Sequence, residues 1–316
     1  MQKSEKTKKK RRFVLDNAVF CTVMLALPVL QFCIFYIGVN FNSILLAFQD
    51  IKIEGTKETI TWTFANFGLD RMFVGLKLNQ VFRMVGMSVL TWGINIGFNV
   101  PLGLLFSFYI SKKLPLSKVF RVVLYLPSIL SAVVMATIYM QFVDMALPSF
   151  LTEMLNIKTD LSLGDGLTAV PETRFLTIVF FNIFIGFGVS VLMYSNAMSG
   201  VDTAMIEAAH LDGATGIKEF WYIVMPQVYS TLAVFLYTSV ATIFTNQMNL
   251  YVFYRGGADP SIQTLGYYLF SKTQAAQGVG SEYPPLAAIG IVLTLIAIPL
   301  TMGVKQLLEK LGPKEE

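Results

Sequence analysis

EAAHLDGATGIKEFWYIVMP, Glu207–Pro226, is a polar, alanine-rich stretch bent around a glycine, in a chain that is otherwise apolar and sparsely charged. Of 316 residues, 54% are hydrophobic and 14% charged, and the mean hydropathy of +0.61 exceeds what a water-soluble domain tolerates. Around the stretch lie windows free of Asp, Glu, Lys and Arg: 17–49, 84–111, 122–143, 175–201, 220–254 and 283–304. Each exceeds the roughly 20 residues that cross a bilayer core as a helix. Lipid leaves backbone polar groups unsatisfied, and these windows are too long and too continuously apolar for barrel strands, so they are read as helices. The expected fold class is all-α: a polytopic membrane protein with six transmembrane helices near 17–40, 84–110, 122–143, 175–197, 227–252 and 284–305.

Basic residues orient this plan. Residues 1–12 hold seven of the 24 Lys and Arg. Placing them in the cytoplasm puts Lys112, Lys113, Lys118, Arg121, Lys218, Lys305, Lys310 and Lys314 there too, and leaves nine for the longer loops opposite. The positive-inside rule therefore sets both termini, and the stretch 207–226, in the cytoplasm. The first apolar run is too long for a signal-peptide core and lacks a clear cleavage site, so it is read as an uncleaved span. Beside it the N-terminal lysines read as a topology and anionic-lipid signal, and no nucleic-acid partner is expected. Cys21 and Cys33 share the first window and are read as packing residues. Outside, Asp50–Arg83 mixes charges with Trp62, Phe64, Phe67 and Phe73 and is expected to lie at the interface as an amphipathic segment. Gly164, Asp165, Gly166 and Pro171, and RGGADP at Arg255–Pro260, mark turn-rich outer loops.

Several chemistries lack their residues. The single histidine, His210, disfavours a histidine metal site or triad within the chain. There is no GxxxxGK[ST]; GATGIK at Gly213–Lys218 has the wrong spacing, so no ATPase activity is expected of this chain. The windows carry no charge, which weakens proton-pump and voltage-sensor readings.

Locally, Asp202 can cap a short helix running to Asp212, with small side chains that permit close backbone approach. Gly213 can take positive φ and turn the chain. Thr215 is the candidate cap for a second short helix from Gly216 to about Val224, and Pro226 suits the first turn of the next span. The segment 202–226 is thus expected to be a helix-turn-helix knob below the membrane.

The order Glu207-Ala208-Ala209, Asp212-Gly213-Ala214, Met225-Pro226 resembles the EAA loop of ATP-binding-cassette importer permeases. LYLPSILSAVVMATIYMQF at Leu124–Phe142, NFGLDRMFVGL before the second span, and YRGGADPSIQTLGYYLF at Tyr254–Phe270 resemble carbohydrate-importer permeases over about Phe13–Gly312. Met225-Pro226 replaces the usual Leu-Pro, Gly256-Gly257-Ala258 replaces Gly-Gly-Pro, and Gly38 stands where a proline is common. The resemblance implies a MetI-like type I importer permease fold: a basic tail 1–12, a permease domain 13–312 containing the coupling loop 202–226, and a tail 313–316. It implies that Glu207, Ala208, Ala209, Asp212, Gly213, Ala214 and Pro226 form the surface that couples to an ATPase.

The implied partners are a second, distinct permease chain, two ATP-binding-cassette ATPases and an extracytoplasmic solute-binding protein in a bacterial cytoplasmic membrane. ATP and Mg would sit on the ATPases, and no cofactor is expected on this chain. A desolvated sugar needs hydrogen bonds inside the bundle, for which Asn95, Asn99, Asn182, Ser190 and Tyr194 are candidates together with Thr245, Asn246, Gln247, Asn249 and Tyr251. In similar permeases that part of the fifth span contributes to the sugar site, which favours Asn246 and Gln247. Interhelical hydrogen bonding is the competing use for each of them. An oligosaccharide is the expected solute. A glycerol-phosphate ester or peptide, or a stand-alone channel or secondary transporter, stays open as an alternative.

Overall fold

The computed structural model describes residues 19–54, 57–153, 166–277 and 279–313. Among the described residues, six helices are long and apolar enough to cross a membrane: α1 (Val19–Leu46), α2 (Leu78–Ser111), Ala132–Phe150, Pro171–Ser199, Ile217–Ala241 and Gly280–Leu311. The basic segment 1–12, Gly164, Asp165 and Lys314 lie outside the described residues. The chain divides into two units, one comprising residues up to Val74 with Gly278–Val292, the other Gly75–Gln277 with residues from Leu293.

In the first unit, α1 is apolar around its whole circumference and none of its most apolar window is buried, as suits a helix solvated by lipid. It does not stop near residue 40: a π-helical stretch, Phe32–Gly38, takes Gly38 into the helix, which continues to Leu46. The segment expected to be amphipathic at the interface begins instead as an antiparallel hairpin, β1 (Gln49–Glu54) and β2 (Lys57–Trp62), with Asp50 opposite Thr61 and Ile51 opposite Ile60. In QDIKIE isoleucines alternate with charged residues, and in KETITW threonines alternate with Ile60 and Trp62, a period-two pattern that a helical reading overlooks. Below the hairpin, buried Asn66 donates to the carbonyls of Ala47 (3.0 Å) and Gln49 (2.6 Å), while Arg71 reaches Asp50 at 3.4 Å.

The second unit is built on α2. Ser107 Oγ donates to the carbonyl of Val191 at 2.9 Å, joining α2 to Pro171–Ser199 where the two helices pack. The third span is not one helix over 122–143: α3 (Ser117–Ile129) ends at an extended Leu130–Ser131 pair before α4 (Ala132–Phe150) begins. Pro127 has no amide to give the ladder, and Ser128 Oγ turns back to the carbonyl of Tyr125, both of which weaken that end of α3. α5 (Pro171–Ser199) crosses α3 so closely at Gly188 that a Cβ there would lie 2.0 Å from the carbonyl oxygen of Leu124. A short α6 (Thr203–Leu211) precedes α7 (Ile217–Ala241), which ends well before the expected residue 252. After an irregular stretch come α8 (Leu250–Tyr254) and α9 (Leu265–Ala275), then α10 (Gly280–Leu311), longer at both ends than expected. Leu104, Tyr194, Met198, Val201, Phe220, Val224, Val228 and Leu232 form one buried apolar cluster.

Candidate functional site

Two polar features stand at opposite ends of α7. At its start is the expected knob. Asp202 caps α6, its Oδ1 accepting from the Ala204 amide at 2.9 Å. Gly213 has φ +80°, and the Ala214 amide returns to the carbonyl of Ala209 at 2.8 Å, closing α6 with a glycine-dependent turn. Thr215 does not cap the second helix. Gly216 stands at its N-terminus with φ 60° and ψ −118°, a conformation reached easily only without a Cβ.

That second helix is not a separate element before the fifth span. It runs through a π turn, Phe220–Val224, directly into Met225–Ala241. Pro226 lacks an amide and its ring crowds the carbonyl four residues earlier, so widening the preceding turn lets the rod continue. The knob's second arm and the fifth span are therefore one helix.

Glu207, Ala208, Asp212, Gly213 and Pro226 are exposed, Ala214 is half-buried, and Ala209 is buried. Around them the knob also presents Leu211, Ile217 and Tyr222, exposed by 91%, 77% and 76%, which is unusual for apolar side chains unless something covers them. Behind this face, Glu219 is only 2% exposed and is held from two sides: by Lys112, just past the end of α2, and by His210 Nε2 of α6 at 3.0 Å. Phe220 stacks edge-on against Phe108 of α2 with ring centroids 5.1 Å apart. Glu219 falls within the expected knob, but its pairing with Lys112 was not legible, because it joins residues more than a hundred positions apart.

At the far end of α7 lies the polar run of the fifth span, and it is not helical. After Ala241 the chain leaves the helix, Met248 and Asn249 take φ of 51° and 55°, and α8 begins at Leu250. The side chains explain the break. Thr242 and Thr245 hydroxyls bond back to the carbonyls of Ser239 and Thr242, and Asn246 Oδ1 accepts from the Met248 amide at 2.8 Å, so side chains compete with the helical ladder.

Surrounding elements then fix this shape. Asn182 Nδ2 donates to the carbonyl of Met248 at 2.9 Å, and its Oδ1 accepts from Asn249 Nδ2 at 2.8 Å. Thr264 Oγ donates to the carbonyl of Asn246 at 2.9 Å, and the Leu265 amide donates to Ser88 Oγ of α2 at 3.0 Å. Gly266 packs so closely that a Cβ would sit 2.5 Å from the Thr245 carbonyl. Ser88, Thr264 and Gly266 were missed as supports. The sequence offered only a loop glycine and two ordinary hydroxyls.

The pathway candidates therefore separate. Asn182 and Asn249 spend amide groups on holding the break. Thr245 and Asn246 remain exposed, Gln247 is half-buried with Oε1 unpartnered among the described residues, and Tyr251 is half-buried, its ring edge-on to Phe270 at 4.9 Å. Tyr194 is not brought to this group. It is 1% exposed in the apolar cluster, against Gly103 and Phe235, because α2 and α7 pack over its face of α5. On α2, Trp92 Nε1 donates to Ser239 Oγ at 3.1 Å, and Asn99 donates to Asn95 Oδ1 at 3.2 Å while its own Oδ1 is buried without a partner among the described residues.

Beyond the break, Arg174 pairs with Asp259 at 3.0 Å. Hydrogen bonds from Ser261, with the Arg174 guanidinium beside them, hold the Asp259 carboxyl below the usual carboxylate range.

Comparison with known proteins places this architecture. A family model described as "Binding-protein-dependent transport system inner membrane component" matches residues 99–314. The chain is 25% identical over 291 residues to the probable ABC transporter permease protein YurN of Bacillus subtilis, covering 87% of this chain and 91% of that one. It is 21% identical to the multiple sugar-binding transport system permease protein MsmF of Streptococcus mutans, over 90% of this chain and 93% of the relative. In fold it is similar to a chain of a bacterial ABC transporter that imports alginate, solved in complex with a pentasaccharide-bound periplasmic protein. The TM-score is 0.74 at 17% identity, covering 96% of this chain and 98% of that chain.

Proposed function

The chain belongs to the binding-protein-dependent transport system inner membrane components, and from that premise we propose that it is the permease half of an ATP-driven importer for an oligosaccharide. An extracytoplasmic binding protein delivers the sugar, a second permease completes the pathway, and two ATPases carrying ATP and Mg dock on the cytoplasmic knobs. Both termini face the cytoplasm in this reading, in keeping with the basic bias of that side. Sugar relatives such as MsmF, and the alginate importer of the same fold, support a carbohydrate solute.

The observation that carries the reading is the continuity of α7. One rigid helix has the exposed knob surface at one end and the polar, unwound stretch Thr242–Asn249 at the other. Discontinuous helices offer polar groups to solutes at mid-membrane, where continuous helices hide their backbone. An ATPase that closes around Glu207, Ala208, Asp212 and Gly213 displaces the start of α7, and a stiff rod delivers that displacement to the break. Asn246 and Gln247 are the proposed sugar contacts, with Thr245 and Tyr251 beside them and Asn182 and Asn249 holding their frame. ATP drives this cycle only by binding one arrangement of the assembly more tightly than the other.

The test is gentle purification of the tagged chain from its native membrane, with mass spectrometry of what co-elutes, followed by oligosaccharide-stimulated ATPase assays on the reconstituted complex. A P-loop ATPase, a second permease and stimulation by binding protein loaded with sugar support the reading. A chain that elutes alone and still moves solute across vesicles overturns it.

A further inference from the structure

Beside the knob, at the turn between α2 and α3, is a cavity of about 480 Å3 that the import cycle leaves unused. Its lining includes Lys113, Lys118 and Arg121, with Ser117 among them, and no carboxylate. None of the three cations makes an ion pair among the described residues. Only Arg121 has a polar side-chain contact, at 3.5 Å from Ser195 Oγ. Three unbalanced cations around one concavity repel one another and lower their free energy by admitting an anion.

Ser117 supplies an independent sign. The residue lines the cavity, and its hydroxyl makes no hydrogen bond among the described residues, so it is free to meet a ligand there. The turn that creates the cavity is held in shape by Tyr109, whose hydroxyl donates to the carbonyl of Pro115 and whose ring meets Phe120 edge-on at 5.8 Å.

The surroundings choose between sources of anion. Leu114 and Leu116 line the same cavity, and Val119, Val122, Val123 and Leu126 of α3 are exposed by 55%, 64%, 57% and 52%. A basic hollow with a hydroxyl in its lining and an aliphatic flank leading away matches a charged headgroup carrying acyl chains better than a free ion. We propose that this cavity binds the phosphodiester headgroup of an anionic phospholipid, with its acyl chains along the exposed face of α3. The cavity lies at the Lys112 end of α2, the end that meets the knob through Glu219. Under the orientation proposed above it faces the inner leaflet, where basic hollows attract such headgroups. A bound lipid would seat the turn that holds the knob in place.

The experiment uses the full-length chain with whatever co-purifies, delipidated in detergent and titrated with phosphatidylglycerol, phosphatidylcholine or inorganic phosphate. Binding is read by native mass spectrometry and by the thermal unfolding midpoint. Phosphatidylglycerol is expected to be retained and to raise the midpoint, with phosphatidylcholine and phosphate at equal concentration giving neither effect. In Lys113→Gln/Lys118→Gln, which keeps Arg121 and its serine contact, phosphatidylglycerol binding is expected to weaken roughly tenfold or more, since each basic residue near a membrane surface contributes on the order of a tenfold preference or somewhat less. Equal retention by the variant overturns the proposal, as does protection by inorganic phosphate alone, which would assign the cavity to a soluble anion. Wild-type retention gives a check that needs no variant: it should fall as salt rises, and salt-insensitive binding overturns the proposal as well.

Discussion

The two ends of α7 are stabilised in opposite ways. At the knob the backbone is shaped by local rules, a capping aspartate and two glycines at positive φ, and one buried carboxylate ties it to the rest of the unit. At the break the backbone is shaped from outside, by Asn182, Thr264, Ser88 and the close approach of Gly266. The knob exposes apolar side chains and a glycine turn, which in the proposed cycle an ATPase grips. The break presents exposed amides inside a frame that others hold, so it can be reshaped only when that frame moves. In the proposed cycle, the single helix joining them converts a grip at one end into a change at the other.

The sharpest way to break this contrast is Gly213→Asp. Aspartate tolerates a positive φ better than most residues, and a Cβ at Gly213 meets nothing within 4 Å, so the fold should survive. The added carboxylate instead lands on the exposed turn beside Asp212. Uptake of the oligosaccharide that wild-type cells accumulate is expected to fall about a hundredfold or more, a loss of roughly 2.7 kcal/mol of coupling, with membrane content unchanged. Normal uptake would show that the turn is not gripped.

Comparable in size is Glu219→Lys, which sets a second cation beside Lys112, next to His210, in a nearly closed site. Reversing one member of such a pair costs about 3 kcal/mol or more. The expected result is a lower thermal midpoint and an ATPase no longer responsive to loaded binding protein, partly restored by Lys112→Glu in the same chain. Failure of the swap to restore anything would reduce Glu219 to a packing residue. His210→Ala should cost less than about 1 kcal/mol, because that ring is 44% exposed.

This contrast also explains what could be read in advance. Apolar windows long enough to cross a bilayer depend on composition alone, so six spans were legible, as were Asp202 and Gly213, whose roles are set within a few residues. The breaks at Leu130–Ser131 and Thr242–Asn249 were not, since apolar or uncharged residues look continuous in a window whether or not the helix persists. Thr215 lost the cap to Gly216 because a backbone conformation closed to other residues outweighed a hydroxyl. Tyr194 looked like pathway because tyrosine is polar at one atom, but its position depends on how α2 and α5 pack. The hairpin Gln49–Trp62 was overlooked although its alternation is local, because the surrounding chain is helical.

The frame is tested by Asn182→Ala. The mutation leaves the Met248 carbonyl without one donor and the Asn249 amide without its acceptor. Interhelical hydrogen bonds of this kind contribute about 1–2 kcal/mol. The thermal midpoint of the purified complex should drop by a few degrees and sugar affinity should weaken with it. A drop in stability with unaltered affinity would mean that the break keeps its shape without Asn182.

The smallest and most specific effect is expected at Asn246→Ala. Asn246 is exposed, its Oδ1 makes one local bond to the Met248 amide, and its backbone carbonyl, which alanine retains, receives Thr264. Stability should therefore change by less than about 1 kcal/mol. If its amide meets the sugar, half-maximal uptake should need roughly three- to tenfold more sugar, the value of one hydrogen bond to a neutral group, with the maximal rate nearly kept. The paired readout separates the two uses of a polar residue in a bundle. A frame residue such as Asn182 moves stability and affinity together, whereas a contact residue moves affinity alone. Unchanged half-saturation in Asn246→Ala would remove it from the pathway and leave Gln247, whose Oε1 is buried without a partner among the described residues, as the side chain to test for sugar contact at the break.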